Sequence, residues 1–130
     1  MTALDAITTG DDNIAIGYDS LTNCTEGSGN VAIGVESLKN CTSGSNNVCV
    51  GLICGREITT GCTNVIVGDD SHPSAVDANN QIIIGQGITG HGDHIAVIGN
   101  TDCTAWHPSI DNNDDLGSSD YRFNNIYYNW

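Results

Sequence analysis

The sequence repeats itself with a 17-residue period, and a unit that short leaves few folds open. Gly17, Gly34, Gly51, Gly68 and Gly85 stand at that step without a slip. Asn13, Asn30, Asn47 and Asn64 keep it, and Gln81 takes the next place. Further columns are Thr8, Thr25, Thr42 and Thr59; Gly10, Gly27, Gly44 and Gly61; Ile7, Cys24, Cys41 and Ile58; and Leu4, Leu21 and Leu38. A unit broken twice by glycine has no room for a stable helix, and nothing in it has helical periodicity. A short strand, a turn, a second short strand and a turn fit instead. Stacked units of that kind form an all-β parallel β-solenoid, or β-roll, in which each repeat unit makes one rung. Extended at about 3.3 Å per residue, one unit reaches roughly 56 Å, enough for the chain to close its own coil.

The columns have roles in such a coil. Glycine serves the corners, where φ must be positive or the backbone is crowded. Stacked asparagines can hydrogen-bond up the array as an amide ladder. In Val31-Ala32-Ile33, alternation puts Val31 and Ile33 on one face and Ala32 on the other. The bulky pairs, Val31 and Ile33, Val48 and Val50, Val65 and Val67, are expected to fill the interior with the Leu21/Leu38 and Cys24/Cys41 columns. The other face, Ala15, Ala32, Cys49, Ile66 and Ile83, is then an apolar stripe that needs a cover, and the simplest cover is another copy of the chain.

Charge narrows the partners. Sixteen acidic and three basic residues give a net charge of −13. This disfavours nucleic acid and anionic membrane, both of which attract cations. No run of apolar residues is long enough to mark a membrane span, and the start, MTALDAITTGDDN, lacks the basic and apolar regions of a secretory leader. Six cysteines suggest disulfides only in a small secreted chain. Cys24 and Cys41 occupy one column, where stacked side chains point in parallel. That is poor bridging geometry, so free thiols acting as small buried hydrophobes are expected.

The pattern loosens after Gly68, where Pro73 enters, and a shorter, 14-residue step separates Gly85 from Gly99. One irregular rung and one shorter rung are expected there. From Asn100 the repeat ends. The final segment holds both tryptophans and the single phenylalanine, and it is too short to fold alone. The chain therefore divides into a repeat solenoid, residues 1–99, and an aromatic-rich trimerisation or tip segment, residues 100–130.

The units NIAIGYDSL and NVAIGVESL, followed by SLTNCTEG and SLKNCTSG, resemble the repeats of phage and large-virus tail fibres. They are also similar to the head repeats of trimeric autotransporter adhesins. The stretch LGSSDYRFNNIYY, from Leu116 to Tyr128, resembles the segment before the intramolecular chaperone of tail fibres and endosialidase-type tailspikes. The resemblance implies a homotrimeric fibre segment with left-handed β-rolls and an intertwined β tip. It also implies a virion location, host attachment through a surface glycan or receptor, and a self-cleaving chaperone downstream. Ser119-Asp120 lies inside the tail motif and is not the dyad that opens such a chaperone. The 17-residue period and the cysteines depart from the usual repeats. A cell-surface adhesin head is the alternative reading, and an ice-binding solenoid, built on the Thr8 column, a more distant one.

Chemical motifs are sparse. His91 and His94, in HGDH, are the candidate metal ligands, one imidazole per chain around a threefold axis; between glycines they also suit a solvated loop. DNNDD, Asp111 to Asp115, resembles a calcium loop but lacks its glycine and distal glutamate. Asn23-Cys24-Thr25 and Asn40-Cys41-Thr42 match glycosylation sequons, as the repeat alone would produce. Cys103 and His107 lie close in sequence, GITGHG lacks the rest of a phosphate loop, and no Ser-His-Asp or Cys-His set stands out. No catalytic residue, cofactor or enzymatic activity is expected.

Overall fold

The computed structural model describes residues 2–106, 120, 123–125 and 127. These contain no helix. Six three-residue strands, β1 (Ile14–Ile16), β2 (Val31–Ile33), β3 (Val48–Val50), β4 (Val65–Val67), β5 (Ile82–Ile84) and β6 (Ala96–Ile98), form one parallel sheet in chain order. Ile14 pairs with Val31, Val31 with Val48, Val48 with Val65 and Val65 with Ile82, one repeat unit each. Ile82 then pairs with Ala96, so the last rung is a 14-residue one. The β-solenoid, its period and its short last rung follow the sequence reading. Of the trimerisation or tip segment, residues 100–130, the described residues include 100–106, 120, 123–125 and 127.

Each rung has one strand, not the two expected. The stretch after the Gly17 corner cannot pleat, because its residues alternate into the left-handed region: Asp19 and Leu21 at φ 54° and 51°, Glu36 and Leu38 at 57° and 51°. Left-handed residues turn the chain, and turn hydrogen bonds close it, Ser20 N–H to the Gly17 carbonyl and Cys24 N–H to the Leu21 carbonyl. This wall still bonds to its neighbour rung, for example Leu21 N–H to the Ser37 carbonyl at 3.0 Å and Thr25 N–H to the Thr42 carbonyl at 2.9 Å. The Gly34 corner has φ 134°, and a β-carbon there would run into the Gly51 carbonyl of the next rung. Rungs stack this closely only because the corner carries no side chain.

Inside the coil, the asparagines form the expected ladder. Asn47 donates from Nδ2 to Asn30 Oδ1 at 3.1 Å and to the Gly61 carbonyl at 2.8 Å. Its own Oδ1 accepts from the backbone N–H and Nδ2 of Asn64 at 3.1 and 2.9 Å. Asn30, Asn47 and Asn64 are fully buried, and Gln81 closes the column by donating its backbone N–H to Asn64 Oδ1. Each amide is thus satisfied by the rungs on either side, which is what makes its burial tolerable.

The ladder also sets which face of the strand is interior, and here the structure reverses the expectation. Asn30 points inward, so Ala32, two residues on, points inward and Val31 and Ile33 point out. Ala32, Cys49, Ile66 and Ile83 are fully buried, whereas the bulky residues on either side of each are half-buried or exposed. The lumen is already filled by Leu21, Leu38, Cys24 and Cys41, all with no exposure, so the early rungs accept only a small central residue. Later the balance shifts. Gly55 takes the leucine position, and a β-carbon there would sit 2.5 Å from Cys49 Sγ and 3.5 Å from Ile66 Cδ1. The growth from Ala15 to Ile83 along the stack is therefore a volume exchange with the Leu column.

Two substitutions test this interior by urea unfolding. Asn47→Ala removes two donated bonds and strands the Asn64 donors in the core, and is expected to lower stability by at least about 3 kcal/mol. Ile66→Ala opens a cavity beside Gly55 with no side chain to fill it, and a loss of about 2–5 kcal/mol is expected. An effect well below these values, under about 1 kcal/mol from either, would show that the residue does not lie in the packed lumen.

Candidate functional site

The outer face of the sheet is the most unusual surface among the described residues. Its twelve outward positions are Ile14, Ile16, Val31, Ile33, Val48, Val50, Val65, Val67, Ile82, Ile84, Ala96 and Ile98. Every one is apolar, on a chain that carries a net charge of −13. Exposure is 60% at Ile16, 41% at Ile82 and 40% at Ile98. Round the Gly17 corner the stripe continues through Tyr18, Val35 and Leu52, then turns polar at Asp69 and Gln86. The apolar band is thus broad over the first three rungs and narrow over the last ones. β-Branched residues suit a pleated surface but do not favour water, and an exposed face with no polar position is unusual.

The surface behind it is polar and ionic. Lys39 pairs with Asp19 at 3.0 Å and with Glu36 at 2.9 Å, and Arg56 reaches Glu36 at 3.2 Å. Hydrogen bonds from Lys39 and then Arg56 hold the Glu36 carboxyl below its usual range. The described cations are thus placed beside the left-handed turn rather than on the sheet. The Thr column lies on another side, and its hydroxyls are occupied. Thr8, Thr25, Thr42 and Thr59 each donate to a carbonyl of the following rung, at 2.8–3.3 Å.

The histidines singled out from the sequence serve different places. His91 is exposed and lines a recess at the end of the coil. His94 stands at φ 63° in the corner column of Asn46 and Asn80, and its Nδ1 lies 2.9 Å from Asn80 Nδ2. Among the described residues no group of three or more His, Cys, Asp or Glu is arranged to hold a metal ion. Asp111 to Asp115 and His107 lie outside the described residues. Asn23 is exposed and Asn40 half-buried, on the turn wall.

The cysteines are free thiols, and burial grades them. Cys24, Cys41, Cys49 and Cys54 are buried, Cys62 is half-buried and Cys103 is exposed. Desolvation, then the neighbouring Cys24 thiol, pushes Cys41 up to about 12. Desolvation likewise raises Cys24 and Cys49. Buried thiols of this kind are protonated at neutral pH and react slowly. Cys54 runs the other way: the thiol of Cys49 donates to it and lowers it, and its own Sγ lies 3.2 Å from the Ile66 carbonyl.

No protein-family model, curated protein or solved structure matches the chain. Side-chain size alone points to the wrong face, since Val31 and Ile33 are bulkier than the buried Ala32 between them. The parity signal was present in the two-residue spacing from Asn30 to Ala32. Iodoacetamide at mildly alkaline pH is expected to alkylate Cys103 quickly, Cys62 slowly and the four buried thiols only after denaturation. Rapid labelling of Cys24 or Cys41 in the folded protein, followed by mass spectrometry, would show that the lumen is open.

Proposed function

We propose that this chain is a structural segment of a homotrimeric viral fibre or tailspike, a rigid spacer that takes part in host attachment. One observation carries the reading: the twelve outward strand positions are all apolar and free of charge. An anionic partner is disfavoured by −13, and a cationic one finds no carboxylate on that sheet. A second copy offers the same neutral surface. Parallel copies around one axis would turn three such sheets toward each other, as the sides of a prism, and leave the acidic walls in solvent.

Area decides how much must join the contact. Six strands at about 4.8 Å spacing and three residues each give a face of roughly 24 Å by 10 Å. That is about a third of the roughly 800 Å² per partner that a stable interface needs. The flank of Tyr18, Val35 and Leu52 and the exposed aromatics Trp106, Phe123 and Tyr127 supply further apolar area. Their exposure, 67%, 58% and 90% for the three aromatics, suits residues that are covered only by assembly. Repulsion between acidic walls opposes association, but exposed charges more than about 10 Å apart are largely screened at physiological salt. The family resemblance of the repeats and of the segment Leu116 to Tyr128 points to the same assembly.

The reading is tested by sedimentation equilibrium. The chain of 13.6 kDa is expected to sediment at three times its own mass. Val50→Lys, at the centre of the outward face, is expected to shift it to monomer while far-UV circular dichroism is unchanged. A wild-type chain that stays monomeric at micromolar concentration contradicts the proposal.

A further inference from the structure

The end of the coil carries a second feature. Corresponding positions of β5 and β6 lie a 14-residue step apart, three short of a full rung. The turn wall of the preceding rung stays covered, with the His72 N–H bonded to the Ile88 carbonyl at 2.8 Å and the Gly90 N–H to the His72 carbonyl at 2.9 Å. Against the turn stretch of the last rung, Gln86 to His91, lies a recess of about 710 Å³, with Ile88 and Val97 on its lining. Gly87 and Gly90 bring bare backbone to it, and a β-carbon on Gly87 would meet nothing within 4 Å. Past the strand, the chain turns at Asn100 to Asp102 and forms the opposite rim. Asn100 fixes that rim, donating from Nδ2 to the Gln86 carbonyl at 3.1 Å and accepting the Asp102 N–H at 3.0 Å.

The side chains at the rim share one chemistry. Asp70 and Asp102 offer carboxylate oxygens, Gln86 an amide, Thr101 a hydroxyl and His91 an imidazole. Asp70 is oriented by His72 Nε2 at 3.0 Å and keeps most of its carboxylate in solvent. Trp106 is not on the lining but lies next to Gly99, which is: its Nε1 is 3.9 Å from where a β-carbon on Gly99 would be, and the residue is 67% exposed. Planar hydrogen-bonding groups, a small apolar floor and an open indole match a ring with hydroxyls on its edge and C–H groups on its face. Two carboxylates and the net charge of −13 exclude an anionic ligand, and among the described residues no group of metal ligands is arranged here.

We propose that the recess between Asp70 and Asp102 binds a neutral saccharide. The carboxylates accept from ring hydroxyls, the apolar floor receives C–H groups, and Trp106 covers one sugar face. The inference rests on the attachment reading, since it gives that reading its ligand class and places it at the end of the coil. Charge-assisted bonds from hydroxyl to carboxylate supply orientation, and the recess is open enough to admit the end of a longer glycan.

The test is saturation-transfer NMR on the full chain with maltotriose, chitotriose and N-acetyllactosamine, and with 3′-sialyllactose as the charged control. Transfer to at least one neutral sugar is expected, with 3′-sialyllactose rejected. Asp102→Asn and Trp106→Ala are each expected to weaken binding about tenfold, with the thermal midpoint unchanged. No transfer to any of the three neutral sugars, undiminished binding in both variants, or preference for 3′-sialyllactose would overturn the site. A trimer that binds no neutral sugar removes the recess proposal and leaves the fibre reading standing. A monomer that binds sugar through these residues does the reverse.

Discussion

The buried asparagine ladder is the constraint on which the rest of the structure depends. Each amide of Asn30, Asn47 and Asn64 bonds to the rung before and the rung after, with donor–acceptor distances between 2.7 and 3.1 Å. A slip of one residue would leave buried donors and acceptors unpaired at several rungs at once, and each such group costs about 1–3 kcal/mol. Register is therefore fixed more firmly than by hydrophobic pattern alone. Parity follows from it. With asparagine inside, the strand must put its central residue inside and its two β-branched residues outside. The interior geometry thus produces the apolar outer sheet, and the assembly proposal begins there.

The coil tolerates backbone strain to keep that geometry. Leu21 and Leu38 sit in the left-handed region, at φ 51°, where a residue with a β-carbon loses about 1–2 kcal/mol. Both leucines are fully buried, and burying such a side chain contributes about 1.5–3 kcal/mol, so packing outweighs the strain. Where the lumen is filled from the strand side, at Ile66, the leucine gives way to Gly55 and the strain disappears with it. Ile53 shows no such exchange: it is β-branched, at φ 56°, and only half-buried.

Much of this was legible in the residues. The regular step, the Gly corners, the amide ladder, the buried Leu and Cys columns and the short last rung can all be read from spacing. The orientation of the strand could not be read from size, because Val31 and Ile33 look like core beside Ala32. It is set by Asn30, whose expected ladder lies inside the coil and whose neighbours then alternate. The missing second strand has a different cause. Asp19 is of a type that tolerates positive φ, but Leu21, Glu36 and Leu38 do not announce it, and tertiary packing holds them there. The recess is not legible because it lies where the stack ends, between the last turn stretch and the residues after β6, rather than at any motif, although His91 is on its lining.

The fibre reading and the sugar recess both presuppose a rigid, one-dimensional stack in which every rung answers to its neighbours through the same register. The most direct test of that premise compares two deletions by thermal unfolding. Removing the complete unit Val31 to Asn47 joins Asn30 to Val48 and returns every column to its place. That chain is expected to keep a single cooperative transition and its β-type circular dichroism. Removing Ser43 alone shifts every later column by one residue and is expected to abolish the transition. If the one-residue deletion melts like the wild type, or the whole-rung deletion fails to fold, the ladder does not set the register and the account is wrong.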